Sequence, residues 1–478
     1  MKSSKYYAGL FFLFGISTTV QTQTGTPRLE HFGLRDIRVK ALALPSSSEA
    51  QPYLYAASDD SGILRRDISS SDSAWINLGL QGKKIMALDV QVWGIGPTVV
   101  QTPIVAVAPD LSQGDSTFIY KLENTQWLPA DSGISKEFPL HFSALASFAT
   151  SKHEMPGFAF VGSSEDFLFR SHTRSKHWDW LRGTYTIHTP TIHVIATQQK
   201  GERKEVWIGG DTGMHSFSPM IQKSANFCTT WQELSINLNL GLENTCYAFT
   251  FHPDDPDLVY AGMMGAVIKS SDGGKTWSFM GLRGKPSGWQ FRALALDAFD
   301  SDHIFAGGMS FMGSSWTLWE SFDAGKHWQE IPPPALSSDT DLGIIAIVAD
   351  PILAGTIYVA TTGAGVWKYS NSTVSMGEKR SRITPNVFSM EQNYPNPFNP
   401  GTEIRYQIPF PQKVELAVYD TKGRLIRMLV NSFQAAGIYS RKWDGRDGHG
   451  LRAASGIYFY HLRVGSSFAI RHKMALLQ

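Results

Sequence analysis

Two carboxylates facing each other across a cleft can cleave a glycosidic bond, one as acid and the other as base or nucleophile. Four carboxylates of this chain, Asp60, Asp166, Asp211 and Asp341, stand in segments expected to be loops on a common face. Loop carboxylates more often close turns through their own backbone. No spacing pairs any two of them, so the catalytic residues stay unassigned. A second chemistry is stacking: exposed aromatics bind sugars or peptide side chains. Trp289 with Arg292, following LRGKPSG, and Phe311 with Trp316, in a long insertion, are the ligand-binding candidates, against a competing use as packing between sheets. His177, His188, His193 and His215 lack metal-ligand spacing, although His193 falls in a segment that could line a channel. Phosphate-loop, Ser-elbow and Cys-His patterns do not occur, and no cofactor or metal is expected.

The elements that must position these residues repeat. Trp75, Trp127, Trp178, Trp231, Trp277 and Trp328 are separated by 52, 51, 53, 46 and 51 residues, a period that marks a stacked supersecondary unit. Each unit opens on a small-residue apolar segment: KALAL at 40, MALDV at 86, SALAS at 143, HVIAT at 193, YAFTF at 247, RALAL at 292 and IAIVA at 345. A second segment follows (YLYAAS, PIVAVA, FAFVGS, VWIGG, VYAGM, IFAGG, IYVAT), then a third such as AVIKSS or GVWKYS. These are strand signals punctuated by Gly, Asp and Pro. Seven first strands meet only six Trp-led fourth strands. The segment LEHFGL at 29–34 resembles WINLGL at 75–80 and supplies the missing one. The expected fold is all-β: a seven-bladed β-propeller over 27–371, closed by an N-terminal strand that removes exposed sheet edges.

Between third and fourth strands lie SSDGGKTW at 270–277 and SFDAGKHW at 321–328, with weaker copies SHTRSKHW at 171–178 and SSSDSAW at 69–75. These motifs resemble the BNR or Asp-box propellers, which include sialidases, sortilin-type receptors, xyloglucanases and photosystem II assembly factors. The likeness is motif-complete in two blades. It implies a structural role at the outer rim for Ser270, Asp272, Gly274, Trp277, Ser321, Asp323, Gly325 and Trp328. Asp and Ser serve backbone donors of the hairpin, Gly takes positive φ, and Trp packs between sheets. A sialidase would need three convergent arginines and an Arg-Ile-Pro motif near the first blade. The nearest candidates, Arg28 and Arg35, stand in PRLE and LRDI.

Forty-three basic against 42 acidic residues leave a formal charge of +1, so no basic field attracts nucleic acid. Lys2 and Lys5, the apolar Ala8 to Ile16 and a small-residue exit read as a signal peptide over 1–23, too short to span a membrane. No other stretch approaches membrane-span length, so the mature chain is expected to lack one. Cys228 and Cys246, assigned to opposite ends of one outer strand and its loop, are expected not to bond.

Residues 372–390 read as a linker, and 391–478 as a small β-sandwich of immunoglobulin type. The Asp444, Asp447 and His449 loop reads as a turn. The blocks NYPNPFNP at 393–400, YDTKGR at 419–424, WDGRDGHG at 443–450, ASGIYFY at 454–460 and KMALL at 473–477 resemble a type A sorting domain of the type IX secretion system, and also the Ig-like domain of flagellar hook-capping proteins. That resemblance implies the type IX machinery as partner, export across the outer membrane of a Gram-negative bacterium, and removal of the domain. The resulting expectation is a secreted or cell-surface, noncatalytic propeller that binds a carbohydrate or protein; the alternative is a glycoside hydrolase of the Asp-box propeller type.

Overall fold

The computed structural model describes residues 27–478 except 46–49, 71–72, 94–98, 111–114, 137–139, 149–157, 184–189, 201–202, 214–217, 237, 239–244, 283–288, 311–314, 337–339, 372–388, 409–411, 435–436, 449, 465–467 and 478. The signal-peptide reading, most of the linker, Phe311, His188, His215 and His449 therefore lie outside the described residues. Every regular element among those described is a β-strand.

Seven four-stranded antiparallel sheets account for the strands from Arg28 to Ser370. Their first strands are Ala41–Ala43, Lys84–Trp93, Phe142–Ser147, Thr191–Lys200, Cys246–Phe251, Trp289–Leu296 and Ile344–Ala349. Each lies against the first strand of the next sheet, and the last lies against the first. The sheets are thus blades 1 to 7 of a closed ring with these strands innermost. The sequence explains that order. Small residues at Ala87, Ala144, Ala248 and Ala293 let seven backbones converge near an axis, while large apolar side chains fill the wedges farther out.

Packing is between blades. Seven buried apolar clusters each join residues of two consecutive blades, including blade 7 with blade 1, where Tyr358 and Val366 meet Leu42 and Leu54. Among the described residues no blade has a private core, so each depends on both neighbours. The N-terminal strand Arg28–Gly33 pairs antiparallel with Val366–Ser370 and completes blade 7, with His31 opposite Trp367.

One inter-blade contact is electrostatically costly. Asp89 of blade 2 accepts a hydrogen bond from Ser147 Oγ of blade 3 at 2.5 Å. Burial pushes its carboxyl up to about 6, against the pull of that bond and one from the Val90 backbone. A raised acid favours folding most below its unfolded value, and stability is lost as pH rises through the folded value. Asp89→Asn keeps an acceptor for Ser147 and removes the charge. It should raise stability at pH 7 by about 1–3 kcal/mol and flatten the fall between about pH 4 and 6, read by urea unfolding across pH.

The strands from Ser389 to Leu476 form two further sheets. One orders Ser389–Met390, Thr402–Ile408 and Gly437–Trp443; the other orders Leu425–Gln434, Gln412–Asp420, Gly456–Val464 and Phe468–Leu476. They enclose their own core around Trp443, Tyr460, Leu416 and Ile404. This is the small Ig-like sandwich. Asp444 and Asp447 accept backbone N–H bonds from Arg446 and Leu451 at 3.1 and 2.9 Å, the behaviour of turn residues.

Candidate functional site

The innermost strands share an irregularity that builds a site. In six blades the pairing with the second strand slips by one residue, leaving Met86, Ser143, His193, Tyr247, Arg292 and Ile345 without a register partner. Lys40 holds the same place in blade 1: its N–H bonds to the Ala57 carbonyl, while Ala41 is already paired with Ala57. A bulge bends its strand and re-aims the extra side chain. Six bulges and the equivalent place at Lys40 turn seven side chains, one per blade, toward the axis. All seven line a single cavity of about 590 Å³, joined by Arg38, Val39, Asp341 and Thr362.

The second strands accommodate the bulge by ending in small residues. A Cβ on Gly308 would fall 1.7 Å from the Gln290 carbonyl oxygen, beside Arg292. Backbone cannot yield there as a side chain can. Gly308→Ala should therefore cost about 3 kcal/mol, measured by urea unfolding, and should displace Arg292.

The ring is chemically uneven. Lys40 pairs with Asp59 at 3.2 Å, and His193 Nε2 meets Asp211 Oδ2 at 3.0 Å. Asp211 Oδ1 also accepts the Gly213 N–H at 2.9 Å. Asp341 accepts the Gly343 N–H at 3.1 Å and the Thr362 hydroxyl. Arg292 donates from Nε to Gln290 Oε1 at 2.7 Å and lies 4.8 Å over the Tyr247 ring. It is reached by water along the channel yet hemmed in by protein, and this desolvation pulls its proton affinity below the ordinary guanidinium value. Burial likewise pushes the Tyr247 phenol up.

The candidate residues distribute unevenly about this cavity. Arg292 and Asp341 line it, with Asp211 directly behind His193. Asp166 stands apart in an ion pair with Arg182 at 2.8 Å, where burial raises its carboxyl against the pull of that arginine. Asp60 is exposed on the hairpin that carries Asp59. The loop assignment of Trp289 is corrected, while Arg292 lies in the inner strand as expected: that strand of blade 6 begins at Trp289, because pairing to Ser310 and Met309 continues beyond the RALAL segment. Trp289 is half-buried and does not line the cavity. Trp316 is buried and donates its indole N–H to the Ile331 carbonyl at 2.8 Å, which makes it packing. Cys228 and Cys246 are free and buried; Cys246 opens the inner strand of blade 5, not the end of an outer one. Among the described residues no group of three His, Cys, Asp or Glu could hold a metal ion.

The outer hairpins show what the tryptophan period is for. Asp272 accepts the Thr276 N–H at 2.9 Å and its hydroxyl at 2.6 Å, and Ser270 Oγ accepts the Gly274 N–H at 2.7 Å. The Thr276 bonds pull the Asp272 carboxyl down to about 2. Ser321, Asp323 and Gly325 repeat the arrangement, and Trp328 donates its indole N–H to the Gly325 carbonyl at 3.0 Å. A copy missed in the sequence lies at SANFCTTW: Asn226 takes the Asp place, accepting the Thr230 N–H at 2.9 Å, and Cys228 takes the Gly place. Among the described residues, four blades carry the same consecutive positive-φ pair, Arg174/Ser175, Phe227/Cys228, Gly273/Gly274 and Ala324/Gly325. Trp75, Trp127 and Trp178 donate their indole N–H to carbonyls of the preceding blade's outer region, at Phe32, Leu78 and Ala130. These residues fasten blades and lie away from the cavity-lining set.

Residues 401–466 match the FlgD Ig-like domain. No curated protein matches the chain. Among solved structures, it is similar to PorZ of Porphyromonas gingivalis, a surface component of the type-IX secretion system, at 13% identity and a TM-score of 0.46, covering 93% of this chain and 60% of PorZ. It is also similar to YCF48 from Cyanidioschyzon merolae (11% identity, TM-score 0.48, 72% of this chain and 99% of that one). A third is the extracellular domain of BT4673 from B. thetaiotaomicron (11%, 0.47, 92% and 57%). The chain thus spans less than two thirds of the PorZ and BT4673 chains.

Proposed function

We propose that the chain is a secreted or cell-surface protein whose propeller, residues 27–371, binds a carbohydrate or protein ligand at the channel mouth without transforming it. The observation that carries this reading is the convergence of seven non-repeating side chains on one cavity of about 590 Å³, a size within the small-ligand range of about 300–1,000 Å³. The carboxylates there are already engaged: Asp341 by Thr362 and Gly343, Asp211 by His193 and Gly213. That favours recognition over the paired acid and base of a glycosidase. A glycan and peptide array probed with the full chain, run beside a hydrolysis screen of every hit, tests it. Binding with intact ligand is expected; turnover of the bound glycan would replace this reading with the hydrolase.

The sandwich, residues 391–478, we read as an address for the type IX system, and its match to an Ig-like domain supports the domain class. The Asp-box likeness of the outer hairpins rests on the Ser–Asp–Gly bonding just described. Deleting 391–478 should leave the protein in the periplasm by fractionation, and normal surface display of the truncation would refute the address.

A further inference from the structure

Arg292 is a cation facing the water of the channel with no anion beside it. Its guanidinium meets a neutral amide and an aromatic face, and among the described residues no carboxylate pairs with it. Arg38 lines the same cavity, also without a carboxylate partner among those residues. The other charges of the site are spent locally: Lys40 on Asp59, Asp211 on His193, and Asp341 on a hydroxyl and a backbone N–H. A guanidinium that lines a cavity without a counter-charge gains charge-assisted hydrogen bonds when a ligand brings the anion. A guanidinium fork matches a carboxylate with two parallel N–H bonds.

Resting on the binding function above, we propose that the channel mouth takes an acidic saccharide, with its carboxylate seated on Arg292. The rest of the cavity fits that class. His193, Thr362 and Asp341 offer polar side-chain groups around the cation, as a polyhydroxylated ring requires, and Ile345 and Met86 give apolar surface for its C–H faces. A ligand of one or two sugar rings suits the volume of about 590 Å³.

The test is calorimetric titration of the full chain with di- and trigalacturonate, with neutral galactobiose and a tri-glutamate peptide as the other arms. Binding is expected for the galacturonates alone. Arg292→Gln should weaken it at least about tenfold, while Arg405→Gln on the sandwich leaves it unchanged. Thermal melts matching the native chain establish that the Arg292 variant folds, and a Met86→Ala variant gives an independent reading of the apolar side, expected to be weaker by a few-fold. Equal binding of galactobiose or of the peptide, or galacturonate binding indifferent to Arg292→Gln, would overturn the acidic-sugar assignment and leave the binding function standing. Failure of the galacturonates together with an array blank for every glycan and peptide would overturn both.

Discussion

Deleting residues 27–34 should abolish cooperative folding of the propeller. The strand Arg28–Gly33 covers the full length of Val366–Ser370, so its loss exposes that strand's outer edge along the ladder. Its side chains are keyed into both neighbours of the seam. Phe32 lies 4.7 Å from Tyr358 of blade 7, the Arg66 guanidinium of blade 1 sits 3.7 Å over its ring, and Trp75 donates to its carbonyl at 3.1 Å. His31 packs edge-on against Trp367 at 5.0 Å. Losing one large aromatic from such a site costs about 3–5 kcal/mol. With the ladder bonds added, the loss rivals the about 5–15 kcal/mol that holds a typical domain together. The expected result is a broadened, non-cooperative melt and aggregation through the open edge. Phe32→Ala should show the milder form, a lowered but still cooperative transition. A deletion that melts like the full chain would remove the strand's role in closing the ring.

The second large effect concerns Glu320 in blade 6. His303 and Glu320 are 0% and 1% exposed and meet at 3.1 Å. The Glu320 carboxylate also accepts bonds from Tyr369 at 2.7 Å, Asn371 at 3.0 Å and Gln329 at 2.5 Å, tying blade 6 to the third strand of blade 7 and the residue that follows it. Burial pushes its carboxyl up, yet the bonds from His303, Tyr369 and Gln329 outweigh burial and hold it below the ordinary value. A depressed acid contributes stability that is present above its unfolded value and lost as pH falls through the folded one. Glu320→Ala leaves several buried donors without an acceptor and should cost about 3–5 kcal/mol at pH 7. Glu320→Gln, which keeps the shape but not the charge, should cost less. The difference between native and Glu320→Ala chains should shrink as pH drops below about 4. Urea unfolding at several pH values measures this, and a pH-independent difference would contradict it.

The architecture was legible because its signals recur. Seven inner segments, seven second segments and six tryptophans reveal both the blade count and the need for Arg28–Gly33, since packing between blades imposes the same residue types each time. The site was much less legible, for the opposite reason. Lys40, Met86, Ser143, His193, Tyr247, Arg292 and Ile345 are the first residues of the seven aligned inner segments, yet they share no chemistry. A column that varies from Lys to Ile carries no pattern to seek, and a bulge leaves no residue signature of its own. The signal was its variability beside an otherwise uniform small-residue strand. Loop carboxylates drew attention instead, and of those four only Asp341 lines the cavity. The degenerate hairpin at Asn226 and Cys228 escaped for a related reason. The geometry of the turn survives with residues that tolerate positive φ less well than the glycine a motif demands.

A binding channel on the axis is tested most directly by where a ligand touches the chain. Amide hydrogen exchange of the full protein, with and without a ligand drawn from the array, reads this directly. Protection is expected in the inner-strand peptides around Lys40, Met86, Ser143, His193, Tyr247, Arg292 and Ile345, drawn from several blades at once. Protection confined to the outer hairpins at 270–277 and 321–328, or to the sandwich, with the inner strands unchanged, would contradict it.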